Sequence, residues 1–191
     1  MKIQFVGGGL ICYELYPEKG SGIWYPSVVL GEEMYGKNIK GKYGDFGGGI
    51  EKKDHGNVDR TIFREAREEI YIDLGNVECV ETLPKIDLFS GRKGDTVRLY
   101  RVRMIRIQGL ENSKFQKIRK IYLKKSGGKY SPWVEIGRIR HFFLHDIHHS
   151  LINGLSKVRD SEGNWCEFRH RLLRIFGKTK ILEQISLLLK S

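Results

Sequence analysis

A mixed α/β fold is predicted by three features of the 191-residue sequence: β-branched and aromatic runs bounded by glycines, a capped amphipathic helix lying between them, and helical spacings towards the C-terminus. In chain order, Ile3 to Leu15 reads as a first strand broken by Gly7-Gly8-Gly9, and Ile23 to Leu30 as a second. Asp45-Phe46-Gly47-Gly48-Gly49-Ile50-Glu51 reads as a strand ending in glycines, where backbone approaches a ligand closely, followed by a loop. Asn57 is placed to cap a helix from Val58 to about Ile70, with Asp59 in the first turn, where the helix dipole favours negative charge. Val77 to Phe89 and Thr96 to Ile107 are further strands, with Gly91-Arg92-Lys93-Gly94 as the turn between them. Phe115, Ile118, Ile121 and Tyr122 mark a second helix. Ile181, Leu182, Ile185, Leu188 and Leu189 mark a last one after Gly177, its stripe expected to dock on the protein's own sheet rather than form a dimer seam.

The length and a 40% hydrophobic content fit one domain over residues 1–191 and exclude a chain disordered for want of a core. No uncharged apolar run approaches a membrane span, and the Ile3 to Tyr13 stretch has neither a basic leader nor a cleavage site, so a soluble, unsecreted protein with no membrane partner is expected. Cys12, Cys79 and Cys166 are odd in number and far apart, which fits buried thiols in a reducing compartment, the cytoplasm of a cell or, for a viral chain, of its host. Thirty-four Lys and Arg against 23 Asp and Glu give a net charge of +11. Such a surface attracts nucleic acids, nucleotides, polyphosphates and acidic membranes, and equally serves as a solubilising coat.

The early helix sorts its side chains into three sectors at about 100° per residue. Val58, Ile62, Phe63, Ala66 and Ile70 form an apolar side, with Glu65, Glu68 and Glu69 beside it and Arg60, Arg64 and Arg67 in the remaining sector. Like charges three and four residues apart repel, so the three glutamates call for a cation. A hard divalent ion such as Mg²⁺ suits all-oxygen ligands; the alternative is a solvated face with Arg64 and Arg67 as intrahelical partners.

Gly48 through Ile72 resembles the signature of the Nudix hydrolases, Gly-x5-Glu-x7-Arg-Glu-U-x-Glu-Glu-x-Gly-U with U apolar. Arg64-Glu65-Ala66-Arg67-Glu68-Glu69 matches its helical core at each specified position. Three departures stand out. Gly48 and Arg64 are 16 positions apart where the signature has 14, which places two extra residues around His55-Gly56; Asp54 stands where the loop glutamate falls; and Tyr71 replaces the penultimate glycine, so the helix is expected to continue or end differently towards Gly75.

The resemblance implies an α/β/α sandwich with a mixed β-sheet, and Mg²⁺- or Mn²⁺-dependent hydrolysis of a pyrophosphate bond in a nucleoside diphosphate linked to another group. It implies Glu65, Glu68 and Glu69 as metal ligands with the Gly48 carbonyl as a further one, Arg64 as the residue that holds a glutamate, and Glu65 or Glu68 as general base. Combined with the basic balance, it makes capped RNA the first expected substrate. Small nucleotides, including dinucleoside polyphosphates and modified nucleoside triphosphates, come next, then inositol pyrophosphates; a non-catalytic nucleotide- or RNA-binding module is the reading from another class.

Two further clusters bear on partners. Lys114, Lys117, Lys120, Lys124 and Lys125, with Arg119, Lys129 and the aromatics Phe115, Tyr122 and Tyr130, are spaced to contact a phosphate backbone or to form a solvated helix face. His141, His145, His148 and His149 would share one side of a helix opposite Phe143, Leu144, Ile147 and Leu151. Their readings are a solvated face, phosphate contacts or a transition-metal pair, the last lacking a clear third ligand.

Overall fold

The computed structural model describes residues 2–72, 83–178 and 180–189. Among these residues strand β1 (Lys2–Pro17) is the axis of a seven-stranded sheet. Its C-terminal half pairs antiparallel with β2 (Trp24–Glu33), its Gly7 to Leu10 segment pairs antiparallel with the short β4 (Phe46–Gly49), and its other edge runs parallel to β6 (Thr96–Arg106). Beyond these, β3 (Tyr43–Gly44) and β7 (Ile136–Phe143) pair with β2, and β5 (Ile86–Lys93) pairs with β6. The sheet is thus mixed, as expected.

Alternation along the central strands builds two cores. Leu10 and Cys12 of β1 and Val29 of β2 face α1 (Val58–Ile70) and Phe115 of α2 (Asn112–Lys125). Ile11, Tyr13, Val28 and Leu30 face the opposite way, onto α3 (Leu144–Ile152), α4 (His170–Lys178) and α5 (Ile181–Leu188). Helices cover both faces, so the architecture is an α/β/α sandwich. Ile181, Leu182, Ile185 and Leu189 are buried in the second core, so the last stripe docks on its own sheet. A small hairpin, β8 (Lys157–Arg159) with β9 (Trp165–Glu167), joins α3 to α4.

Several expectations are corrected. Gly7-Gly8-Gly9 does not break β1. The strand is continuous apart from a register shift between Phe5 and Gly7, and the glycines are close-packing sites: a Cβ on Gly8 would lie 2.7 Å from Ile62 and 2.9 Å from Val58. The turn between β5 and β6 is tighter than Gly91 to Gly94, because pairing continues to Lys93–Thr96 and Gly91 takes up an irregularity in the ladder. The Val77 to Thr82 part of the predicted strand, including Cys79, lies outside the described residues, as does Gly75 before it; Cys12 and Cys166 are buried free thiols. His141 is in strand β7 rather than on a helix with the other histidines. In α2 only Phe115 is buried, whereas Ile118 and Ile121 are exposed.

Candidate active site

Helix α1 begins and ends where the sequence puts its signals. The Asn57 side chain accepts from the amides of Asp59 at 2.9 Å and Arg60 at 3.3 Å, and Val58, Ile62, Ala66 and Ile70 are buried against the sheet. Phe63 sits at the rim of that stripe, 38% exposed, with the Arg103 guanidinium 5.4 Å over its ring. The helix stops at Ile70 because Tyr71 itself takes the left-handed conformation, φ 62° and ψ 26°. Tyr71 replaces a glycine's freedom with contacts: its hydroxyl donates to the Trp133 carbonyl at 2.6 Å, and its ring stacks on Phe115 and Tyr122, each at 5.3 Å.

The helix edge carrying Glu65, Glu68 and Glu69 is not a solvated face. The three residues are 7%, 7% and 4% exposed. They lie beneath the glycine strand β4, so closely that a Cβ on Gly48 would overlap the Glu65 carboxylate, while the Gly48 carbonyl lies against Gly7 of β1.

Arg64 sits among them. Its Nη1 lies 2.8 Å from Glu65 Oε1, donates to Glu68 Oε2 at 3.0 Å, and lies 3.3 Å from Glu51; its Nη2 donates to the Gly49 carbonyl at 3.0 Å. Asp54 fixes this guanidinium from the other side, accepting Nε on Oδ1 and Nη2 on Oδ2, each at 3.1 Å. Asp54 Oδ2 also accepts from the Glu51 amide and the Thr61 hydroxyl, each at 2.9 Å. Burial works to raise the Asp54 pKa, but these hydrogen bonds outweigh it and hold the carboxylate below its ordinary value. The two extra loop residues form the turn that allows this reach: His55 and Gly56 both have positive φ, 51° and 72°.

The charge balance on the edge is incomplete. Arg64 serves Glu65 and Glu68, and Lys53 lies 3.2 Å from Glu68, but Glu69 Oε2 is buried without a hydrogen-bond partner among the described residues. Burial, then the charges of Glu65, Glu33, Glu135 and Asp45, push Glu69 well above the ordinary carboxylate range. Burial likewise lifts Glu65 to about 7, against the lowering effect of Arg64. Buried, mutually repelling carboxylates with an orphan oxygen are the chemistry of a hard-cation site. Among the described residues no three His, Cys, Asp or Glu side chains already converge as a metal shell, and Arg64 lies between Glu65 and Glu68. The donor set fits a divalent ion that takes over some of the neutralisation Arg64 supplies.

Sequence reading missed the surroundings of this edge. Glu135, next to β7, is close enough to raise both Glu65 and Glu69, and its Oε2 accepts from the Tyr130 hydroxyl at 3.2 Å. Glu33, on β2, is paired with Arg169; Asp45 accepts from Arg171 at 2.8 Å and from the Tyr100 hydroxyl at 3.1 Å. The register that sets Glu33 opposite Ile136 brings in Glu33 and Glu135, whereas Asp45 heads the glycine strand that the sequence already marks.

The other candidates are dispersed. Buried His141 meets Glu14 at 2.8 Å, whereas His145, His148 and His149 are exposed on α3, so the four histidines form no common face. Lys114, Lys117, Lys120, Lys124 and Lys125 are all exposed on α2, Lys114 pairing with Glu111 at 3.0 Å and Lys125 lying 5.3 Å over the Tyr122 ring. Among the described residues no helix is long and apolar enough to cross a membrane.

A mixed sheet between two helical layers, with a glycine strand laid over a glutamate-bearing helix, defines the Nudix fold, and comparison with solved structures agrees. A Nudix hydrolase from M. smegmatis, RenU, superimposes with a TM-score of 0.50 at 12% identity over 78% of this chain and 76% of that one. Looser similarity is found to the Nudix domain of Shewanella oneidensis NrtR complexed with ADP ribose (TM-score 0.47, 12% identity, 95% and 90% of the two chains). A similar level is found for a Nudix hydrolase from Alicyclobacillus acidocaldarius (TM-score 0.48, 9% identity, 98% and 92%). No family model and no curated protein sequence matches the chain. The chain therefore has the Nudix fold, reached with little sequence in common with its structural neighbours.

Proposed function

We propose that the chain, acting as one domain over residues 1–191, is a Mg²⁺- or Mn²⁺-dependent pyrophosphohydrolase of a nucleoside diphosphate linked to another group, with capped RNA as its substrate. One observation carries this reading: three glutamates buried on one helix edge under a glycine strand, one of them with an orphan oxygen. Glu65, Glu68 and Glu69 would hold the ion, with the Gly48 carbonyl as a further donor. Once bound, a divalent ion neutralises a diphosphate, orients the phosphorus and lowers the pKa of an attacking water.

The chain's own residues do the rest. Asp54 fixes Arg64, and Arg64 sets the rotamers of Glu65 and Glu68, so the carboxylates are placed before substrate arrives. Glu65 or Glu68, at the ion's edge, would take a proton from the attacking water. Products would be a 5′-monophosphate RNA and a capped nucleoside diphosphate. RNA is favoured over free nucleotides by the exposed lysines of α2, whose end reaches the Tyr71, Tyr122 and Trp133 stack at the end of α1.

A metal-dependent hydrolysis screen tests this, comparing capped RNA, free cap dinucleotide, nucleoside triphosphates, dinucleoside polyphosphates and inositol pyrophosphates. Preferential cleavage of capped RNA supports the assignment. Turnover confined to a small nucleotide would replace the substrate, and no metal-dependent turnover would leave a nucleotide- or RNA-binding module.

A further inference from the structure

At the opposite end of β2 from Glu33 lies a cavity of about 540 Å³, lined by Leu15, Tyr16, Trp24, Gln108, Leu110 and Glu111 among others. Nine residue steps along the strand separate Trp24 from Glu33, roughly 30 Å, so the cavity is distinct from the carboxylate site. Its walls are fixed from behind. The Tyr16 ring is stacked on His141 at 3.6 Å, His141 Nε2 lies 2.8 Å from Glu14 Oε1, and Glu14 Oε2 accepts from the Gly109 amide at 2.7 Å. Glu14 and His141 are each 4% exposed, a buried polar pair that sets the Tyr16 ring and anchors the 108–111 loop. Trp24 stands at the mouth, 60% exposed.

The same loop leads into α2, whose first flanking residue is Glu111. From there Lys114, Lys117, Lys120, Lys124 and Lys125 occupy about 140° of the helix surface over about 17 Å of its length, ending beside the Tyr122 and Trp133 rings, which stack at 4.7 Å next to the end of α1. Aromatic cavity, lysine face and carboxylate edge therefore lie along one path. The cavity's own charged side chains are the carboxylates Glu14 and Glu111, which repel phosphate; their oxygens are held by His141, the Gly109 amide, Ser113 and Lys114, so a base is held there by stacking. Phosphates belong on the lysines, and a base belongs in the cavity.

We propose that this cavity is a base-binding subsite for an unpaired nucleotide of single-stranded RNA, held downstream of the bond cut at the carboxylate edge. The inference rests on the hydrolase reading for its direction along the chain. It does not need that reading for the binding itself, because stacking on an exposed aromatic beside a basic track is recognition of single strands as such. Its volume also falls within the range of small-ligand sites.

The test is a ladder of single-stranded RNAs, from two to twelve nucleotides, bound to the metal-free protein and read by anisotropy. Affinity is expected to step upward at the length that first spans both the lysine face and the cavity. Trp24→Ala should remove the step, weakening the longer RNAs about tenfold, and Trp24→Phe should restore most of it. Duplexes of the same lengths should show no step. A step that survives Trp24→Ala, or that duplexes share, overturns the proposal. So does a dimer in light scattering that Trp24→Ala dissociates, since the face would then be a self-interface. Hydrolysis by the wild-type protein is scored separately: a Trp24-dependent step without turnover of any pyrophosphate keeps the subsite and removes the hydrolase, and turnover of capped RNA with no step does the reverse.

Discussion

Asp54 grips Arg64 through two oxygens, Oδ1 on Nε and Oδ2 on Nη2, each at 3.1 Å. The carboxylate that takes the place of the signature's loop glutamate therefore acts on the arginine, and through it on Glu65 and Glu68. Four donors converge on Asp54, three of them on Oδ2. An amide has one acceptor oxygen and would turn an N–H₂ towards donors.

Asp54→Asn is accordingly expected to cost about 1–3 kcal/mol of stability and to slow hydrolysis by loosening Arg64, but less than Glu69→Gln slows it. The Asp54 pKa is held below its ordinary 3.8 in the fold, so its contribution is complete above that pH and is lost as pH falls through the lower folded value. Melting temperatures of the two proteins should differ at neutral pH and converge in strong acid. Equal losses of turnover from Asp54→Asn and Glu69→Gln would instead make Asp54 a direct ligand.

Glu65 and Glu69 have the opposite sign. Both have pKa values raised above 4.5 in the fold, Glu65 to about 7, first by burial and then by neighbouring carboxylates. Their protonated forms favour the metal-free fold below pH 4.5, and that contribution is lost as pH rises through 7 and beyond. The metal-free protein should melt progressively lower across this window. Mg²⁺ or Mn²⁺ should raise the melting temperature more at pH 8 than at pH 6, because binding displaces protons. A metal-induced shift independent of pH would contradict the assignment of these two residues.

Glu68→Gln and Glu69→Gln should each lower turnover by several orders of magnitude while the circular dichroism spectrum stays unchanged, since a neutral amide is a poor Mg²⁺ ligand. Without metal, Glu69→Gln should also gain in melting temperature on wild type as the pH is raised through the Glu69 titration, since it removes a carboxylate whose ionised form is buried with an Oε2 that has no hydrogen-bond partner among the described residues. Near-normal activity in both variants would remove the site from this helix edge.

How much of this was legible in the sequence depends on how local the signal is. Helix α1 was readable because Asn57, the apolar spacing and the glutamate cluster all act within one turn or two. Strand β7 was not, because Phe142 and Phe143 are buried on both faces and run straight into α3, so alternation fades and helical spacing absorbs His141. Glu33 and Glu135 approach the glutamate edge only through strand pairing across tens of residues, which no spacing rule encodes. The two-residue insertion was visible in the sequence, but its consequence, a turn letting Asp54 reach Arg64, needed coordinates.

Tyr71 offers a test of a residue that stands where the Nudix signature has a glycine. Tyr71→Gly would relieve a left-handed backbone worth about 1 kcal/mol. It would also forfeit the hydrogen bond to Trp133 and the stacking on Phe115 and Tyr122. Losing a half-buried aromatic costs about 3 kcal/mol, so the glycine should be net destabilising by roughly 2 kcal/mol in denaturant unfolding. A stabilised Tyr71→Gly variant would mean that the aromatic stack contributes little.

The α2 lysines decide between RNA and small nucleotides. Changing Lys114, Lys117, Lys120, Lys124 and Lys125 together to Ala should weaken capped-RNA binding, and flatten its log–log salt dependence by about 3.5 if all five contact phosphate. Hydrolysis of a free nucleotide should stay near normal, because a small substrate held at the carboxylates does not extend along α2, and steering by distant charges is screened at about 0.15 M salt. The contrast between the two substrates carries the argument, since general damage to the fold would lower both. If the variant cleaves capped RNA at that salt with unchanged efficiency, α2 is a solvated face and a small nucleotide becomes the substrate to pursue.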